Sequence, residues 1–125
     1  MIFVFGSNLG GYHGKGAALT ALKHHGAVMG QSEGLMGWSS YALPTCTWSF
    51  KPLPLDRIQI HVDEYLRFAR EHPELQFKTT RVGCGLGKQK DSDIAPMFIG
   101  APDNCFFDEL WKPYLGETHE YWGSY

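Results

Sequence analysis

Apolar runs alternate with glycine-rich stretches along this chain. Residues 2–5 read IFVF, a short run with no polar position. A continuous apolar run, unlike an alternating one, is typical of a strand that is buried on both faces. A glycine-rich stretch follows, and residues 17–25 are then rich in helix formers up to Gly26. The pattern therefore predicts a central strand, a glycine loop and a helix.

The same order recurs in the second half of the chain. Residues 76–82 predict a strand, which runs into the segment GCGLGKQKD. Ser92 or Asp93 can then cap a short helix over residues 94–98. A last strand is predicted at residues 105–107.

The middle of the chain predicts one more strand and one long helix. Residues 26–37 are glycine-rich and are expected to be irregular, and residues 39–43 predict a strand that Pro44 closes. A helix is predicted between Pro54 and Pro73. Its apolar stripe comprises Ile58, Val62, Tyr65, Leu66 and Ala69.

Strands that alternate with helices over the whole length predict an α/β fold, a three-layer sandwich with a mostly parallel central sheet. At 125 residues the chain predicts a single domain over residues 1–125. The composition, 43% hydrophobic and 19% charged, is too apolar for intrinsic disorder and too interrupted for a membrane span.

Charge and cysteine content narrow the class of protein further. The net charge of −2 disfavours binding to nucleic acid through phosphate neutralisation. Three cysteines at long spacings fit neither a disulfide framework nor a zinc site, so no metal is predicted. The N-terminus resembles no signal peptide, and we expect a cytoplasmic protein with no membrane partner.

Two glycine loops carry the candidate chemistry: the first glycine loop, residues 6–16, and the second, residues 83–91. Each follows a predicted buried strand, and ligands of open α/β sheets bind at the carboxyl ends of the strands. Glycine allows close approach of a ligand to the main chain, whose amides and helix dipoles attract anions. The loops are therefore expected to hold a diphosphate, although each could also be only a tight turn.

The common phosphate-binding and nucleophile motifs do not match. A Walker loop would need glycine at Leu9 and Ser or Thr at Gly16. The alternate glycines of the second loop do not give the dinucleotide-binding spacing GxGxxG. A nucleophile elbow at Ser7 would need glycine in place of Phe5. The loops therefore predict a ligand cradle without an apparatus for nucleotide hydrolysis.

The two loops together resemble those of the macro domain family. FGSNLGGYHGKGAA (residues 5–18) is similar to the first loop of that family, and TTRVGCGLGKQ (residues 79–89) to its phosphate-binding loop. SYALPT (residues 40–45) falls where the family has an intervening strand. The resemblance covers residues 2–98 and is greatest to small macro-domain-like proteins of phages and bacteria. It implies binding of ADP-ribose or a derivative and, in some branches, hydrolysis at the distal ribose.

The resemblance places the Asn8 amide on the hydroxyls of the distal ribose and the glycine loops around the diphosphate. Cys84 is expected to have no nucleophilic role. The candidate ligand-binding residues are Gly6, Ser7, Asn8, Gly10, Gly11, Gly14, Lys15 and Gly16 in the first loop and Gly83, Cys84, Gly85, Leu86 and Gly87 in the second.

The candidate catalytic residues are Asn8, which would position the ribose, and His13, as a general acid or base. His13 could equally be a loop histidine that bonds to the backbone, and Lys15 could bind a phosphate or simply be solvated. The hydrolase branch with a covalent lysine adduct has a Lys and an Asp where this chain has Leu22 and Gly87, so that mechanism is not expected. Whether the protein is an enzyme stays open.

Adenine recognition departs from the family, because its adenine-reading Asp precedes the first loop and has no counterpart here. Phe106 or Phe107 could stack on the base instead, although a single aromatic residue near a C-terminal strand more often belongs to the core. No cofactor is predicted. The alternatives to simple binding are an ADP-ribosyl or ADP-ribose 1″-phosphate hydrolase and an interaction protein with a vestigial pocket. The number of tryptophans hints at a partner surface or a homo-oligomer.

Overall fold

A computed structural model describes residues 1–124 of the chain. Six strands form one sheet in the order β2-β3-β1-β4-β5-β6. All neighbouring strands are parallel except β2, which runs antiparallel to β3. The strands are β1 (Ile2–Asn8), β2 (Gly34–Met36), β3 (Ser40–Cys46), β4 (Phe77–Thr79), β5 (Cys105–Asp108) and β6 (Glu120–Gly123).

Helices cover both faces of this sheet, so the predicted α/β fold with a mostly parallel sheet is confirmed. The helices are α1 (Gly16–His24), α2 (Leu55–Glu71), α3 (Asp91–Ile94) and α4 (Lys112–Leu115), with short 3₁₀ turns at 95–98, 109–111 and 116–118. None of the helices in residues 1–124 has the length and apolar character needed to span a bilayer.

Strand β1 is buried on both faces, as its continuous apolar run predicts. Ile2 and Val4 face the larger core, which contains the apolar stripe of α2. Phe3 and Phe5 face the smaller core beneath α1. Since successive side chains of a strand point to opposite faces, both cores extend from this one strand, which lies inside the sheet between β3 and β4.

The observed elements differ from the predicted ones at several places. β2 lies inside the stretch predicted to be irregular, because antiparallel pairing with β3 orders it despite its glycine content. Pro44 lies within β3 and does not close it. It lies beyond the residues that β2 pairs with, so β3 is an edge strand there, where a proline is tolerated.

The second predicted strand is shorter than its apolar pattern suggests. β4 ends at Thr79, and residues 80–82 already belong to the turn that leads into the second glycine loop. The helix that follows starts at Asp91 and has no side-chain cap, so neither Ser92 nor Asp93 caps it.

Candidate functional site

The carboxyl ends of β1, β3, β4 and β5 lie along one edge of the sheet, because these strands are parallel. A cavity of about 800 Å³ opens there, a size typical of small-molecule sites. Its lining comes from both glycine loops, the start of α1 and the ends of β3 and β5. The residues are Gly6, Ser7, Asn8, Tyr12, Gly14, Lys15, Gly16, Ala17, Ala18, Thr45, Cys46, Phe50, Thr80, Arg81, Val82, Gly83, Gly85, Leu86, Gly87, Lys88, Asp108, Leu110 and Ser124.

The two glycine loops meet in space, although more than sixty residues separate them in the sequence. A Cβ atom on Gly6 would lie only 2.9 Å from the main-chain nitrogen of Gly83. On the far side of the cavity, a Cβ atom on Gly16 would lie 3.0 Å from Cδ1 of Leu86. The close approach at Gly6 requires glycine, and it brings both loops to the same cavity.

Main-chain amides without a hydrogen-bond partner in the described part of the chain occur in two of the segments that line this cavity. α1 begins at Gly16 without a side-chain cap and without an acidic residue in its first turn. Its first N–H groups therefore have no partner within the helix. Within residues 1–124, the N–H groups of Gly85, Leu86 and Gly87 also donate to no acceptor of the protein. The cavity thus has the amide donors and helix dipole that bind an anion.

Lysine side chains add positive charge at this edge. Lys15 and Lys88 both line the cavity, one from each glycine loop. Lys88 has a φ of +60°, a left-handed conformation that the loop imposes on a residue with a side chain. Each ammonium group can supplement the amides as a point charge for a phosphate.

A charged cluster behind the second glycine loop holds it in place. The guanidinium of Arg81 donates to both carboxylate oxygens of Asp91, at 2.8 and 2.6 Å. The indole N–H of Trp111 donates to the same carboxylate at 2.6 Å. The side-chain amide of Gln89 donates to the carbonyl of Leu53 at 3.1 Å. These bonds join the loop to the turn that follows β4, to the segment before α2 and to the 3₁₀ turn after β5.

The Arg81 hydrogen bonds, and to a smaller extent the Trp111 indole, hold the pKa of Asp91 below its ordinary value of 3.8. A carboxyl whose pKa is lower in the folded protein stabilises it fully above the unfolded pKa and less as the pH falls. We therefore expect Asp91→Asn to lower the melting temperature at neutral pH. The variant should also lose less melting temperature than the wild type between about pH 4 and pH 2.

Asp93→Asn is the control for this acid titration, because it removes a carboxylate of the same helix outside the Arg81 pair. Melting curves by circular dichroism across the pH range measure the effect. If Asp91→Asn and the wild type show parallel acid profiles, the ion pair does not stabilise the loop.

Asn8 lies at the end of β1 and organises the first glycine loop. Its side-chain amide donates to the carbonyl of Tyr12 at 2.8 Å, and its side-chain oxygen accepts from the N–H of Tyr12 at 3.0 Å. One amide hydrogen and one oxygen lone pair remain after these bonds. Asn8 lines the cavity and can therefore still contact a ligand while it holds the loop.

His13 is not at the cavity, which corrects its prediction as a catalytic acid or base. The side chain is fully buried, and its Nε2 lies 3.0 Å from the carbonyl oxygen of Gln31. Its ring packs edge-on against Phe5 at a centroid distance of 5.3 Å. The alternative of a loop histidine bonded to the backbone describes this geometry, and the His13 side chain is not part of the cavity lining.

Three further candidate residues lie outside the lining. Gly10 and Gly11 turn away from the cavity, and the carbonyl of Gly11 accepts from the N–H of Gly30 at 2.8 Å. Cys84 also lies outside it, with its N–H donating to the carbonyl of Arg81. Burial first, and then the charge of Asp91, raises the pKa of Cys84 to about 12. A thiol with this pKa is protonated at neutral pH.

The aromatic residues predicted to stack on a base also lie elsewhere. Phe107 is fully buried against Phe98 and Trp111, and neither Phe106 nor Phe107 lines the cavity. The aromatic rings of the lining are instead those of Tyr12 and Phe50.

Sequence reasoning missed the residues that the other strand ends contribute. Thr45 and Cys46 end β3, and Asp108 ends β5. The Asp108 side chain is buried and accepts from the N–H of Leu110 at 2.9 Å. The signal that could have found them is the rule used for the glycine loops, since all parallel strands of an α/β sheet end at the ligand edge.

The site is therefore a cavity with amide donors at its centre, aromatic rings beside Asn8 and a carboxylate at the end of β5. None of its features is a recognised nucleophile with a general base beside it. Comparison with family models, curated proteins and solved structures gave no match.

Proposed function

We propose that this protein binds ADP-ribose or a derivative of it in the cavity between the two glycine loops. The observation that carries the proposal is that the start of α1 and the second loop, both with amides that lack a partner among the described residues, line the same cavity. Amides that point into a cavity from two sides are suited to the two phosphates of a diphosphate. The macro-domain resemblance of both loops supplies the identity of the rest of the ligand.

The length of the edge supports a ligand with a group on each side of the diphosphate. The cavity extends from the end of β3 to the end of β5, with β1 and β4 between them. Three strand spacings amount to roughly 14 Å. A cavity of that length has room for a sugar on one side of the amides and a nucleoside on the other.

The direction of the ligand follows from Asn8. The family resemblance places the distal ribose on this amide, at the β3 side of the cavity. The adenosine end then lies over β5. There Leu110 offers an apolar surface, and the carboxylate of Asp108 can accept a hydrogen bond from an amino group. The diphosphate lies between them, under the amides of Gly85 and Gly87.

Binding, and not turnover, is the proposed activity. The acid or base candidate, His13, is buried away from the cavity. The role proposed for the protein is therefore to sequester or recognise an ADP-ribose group. Its proposed partner is accordingly a small-molecule ligand.

Calorimetric titration with ADP-ribose, AMP and ATP tests the proposal. ADP-ribose should bind roughly tenfold or more tightly than AMP, because AMP lacks the second phosphate and the distal ribose. ATP has phosphates but no distal ribose, so it should also bind more weakly. Equal affinities for all three, or no binding of ADP-ribose, would contradict the proposal and favour an interaction protein with a vestigial pocket.

A further inference from the structure

The β3 side of the cavity is walled by two aromatic rings that the core does not use. Tyr12 is 55% exposed and Phe50 is 57% exposed, and both line the cavity. Their ring centroids lie 5.8 Å apart with an angle of 69° between the planes. We call this pair the aromatic wall.

The Phe50 half of the wall is held in a conformation that a bulky residue avoids. Its φ is +65°, in the left-handed region. The turn around it is fixed by three hydrogen bonds: Thr47 N–H to the Lys51 carbonyl at 2.7 Å, Phe50 N–H to the Thr47 carbonyl at 3.0 Å, and Lys51 N–H to Thr47 Oγ1 at 3.1 Å. Residues held by a fixed turn in such a strained backbone conformation are typical of sites that clamp a ligand.

The Tyr12 half is fixed by the residue proposed to hold the distal ribose. Asn8 clamps both main-chain polar groups of Tyr12. The ring also packs closely against Gly14, where an added Cβ atom would lie 2.3 Å from Cε1 of Tyr12. The wall is thus preorganised beside Asn8 before any ligand enters.

In the ligand orientation of the proposed function, the distal ribose lies on Asn8. The aromatic wall then faces the position beyond that ribose. A group on the anomeric carbon of that ribose would then meet two aromatic rings. The faces of aromatic rings attract planar and cationic groups, and the hydroxyl of Tyr12 is the one hydrogen-bond donor that the two side chains of the wall offer to a phosphate dianion.

We infer that the natural ligand is an ADP-ribose derivative with a planar heteroaromatic group attached to its distal ribose. This inference rests on the proposed function and names the class of group that the site selects. It disfavours ADP-ribose 1″-phosphate, because the terminal phosphate would face the aromatic wall.

NAD⁺ is a suitable probe, since it is ADP-ribose with a pyridinium ring on the distal ribose. Calorimetry should show NAD⁺ binding to the wild type roughly tenfold more tightly than ADP-ribose 1″-phosphate. Phe50→Gly removes the ring at a position whose φ glycine adopts freely, so the turn should be retained. In this variant the ratio of NAD⁺ affinity to ADP-ribose affinity should fall roughly fivefold to tenfold.

Trp48→Ala is the matched control, because Trp48 lies on the same turn, is 75% exposed and does not line the cavity. It should change neither affinity. The nicotinamide protons should also show ring-current shifts in the NMR spectrum of the wild-type complex that disappear with Phe50→Gly.

The other possible outcomes contradict either the inference alone or the proposed function as well. A preference for ADP-ribose 1″-phosphate, or equal effects of Phe50→Gly and Trp48→Ala, overturns the inference while ADP-ribose binding still stands. A loss of ADP-ribose affinity in Phe50→Gly as large as the loss of NAD⁺ affinity would put the adenine on the wall, which also overturns it. If neither ADP-ribose nor NAD⁺ binds, the proposed function fails and the inference fails with it.

Discussion

Gly85→Val should weaken ADP-ribose binding by about a hundredfold while leaving the fold intact. A Cβ atom on Gly85 has no protein atom within 4 Å, and its φ is not in the left-handed region. The valine side chain would therefore enter the cavity without strain and occupy the space that a phosphate needs. Losing two hydrogen bonds to a charged phosphate, at roughly 1.5 kcal/mol each, weakens binding by about a hundredfold.

Calorimetry with ADP-ribose measures this loss, and thermal melting checks the fold. Gly85→Ala should give an intermediate loss, because its side chain is smaller. Gly87→Ala is the contrasting variant of the same loop: its Cβ would lie 2.7 Å from the carbonyl oxygen of Gly83, so the loop itself must shift. Normal binding by a folded Gly85→Val protein would show that no phosphate lies over this amide.

Trp111→Ala should cause the largest loss of stability of the variants considered. Trp111 is fully buried and packs against Phe98 and Phe107 at centroid distances of 5.3 and 6.2 Å. Replacing a buried tryptophan by alanine costs about 4 kcal/mol in the free energy of unfolding. For a domain of this size, that corresponds to a fall in melting temperature of more than about 10 °C.

The same substitution should loosen the second glycine loop, because it removes the indole N–H that donates to Asp91. Denaturant unfolding measures the free energy, and amide exchange of residues 83–89 measures the loop. Trp48→Ala, at an exposed tryptophan, should change stability by no more than about 0.5 kcal/mol. Similar losses in both variants would mean that Trp111 is not a core residue.

The sequence predicted those structural features that a single segment of the chain determines. The apolar run of β1 predicted its burial on both faces, because a strand between two helical layers has no polar face. The glycine loops were predicted to reach one edge, because parallel strands share that edge. Ten of the predicted ligand-binding residues do line the cavity, among them Asn8, Lys15 and Gly85.

The failures at His13 and β2 concern features that depend on contacts with distant residues. The burial of His13 is set by the ring of Phe5 and by the carbonyl of Gln31, which lies eighteen positions further on. Strand β2 exists because β3 offers it a partner, and its own composition does not favour a strand. Such contacts between distant residues leave no local pattern in a single sequence.

The aromatic wall was missed for the same reason. In the sequence, Tyr12 lies within the first glycine loop, and Phe50 lies between β3 and α2. Only the fold brings their rings to within 5.8 Å of each other at the cavity. Their high exposure then distinguishes them from the aromatic residues of the core.

A titration of the uniformly labelled protein with ADP-ribose, followed in its amide NMR spectrum, shows whether one ligand binds to both loops. We expect the amides at the start of α1 and those of Gly85, Leu86 and Gly87 to shift together along one binding curve. Shifts confined to one of the two loops, or no shift at all at millimolar ADP-ribose, would contradict the proposed binding of ADP-ribose between the two loops.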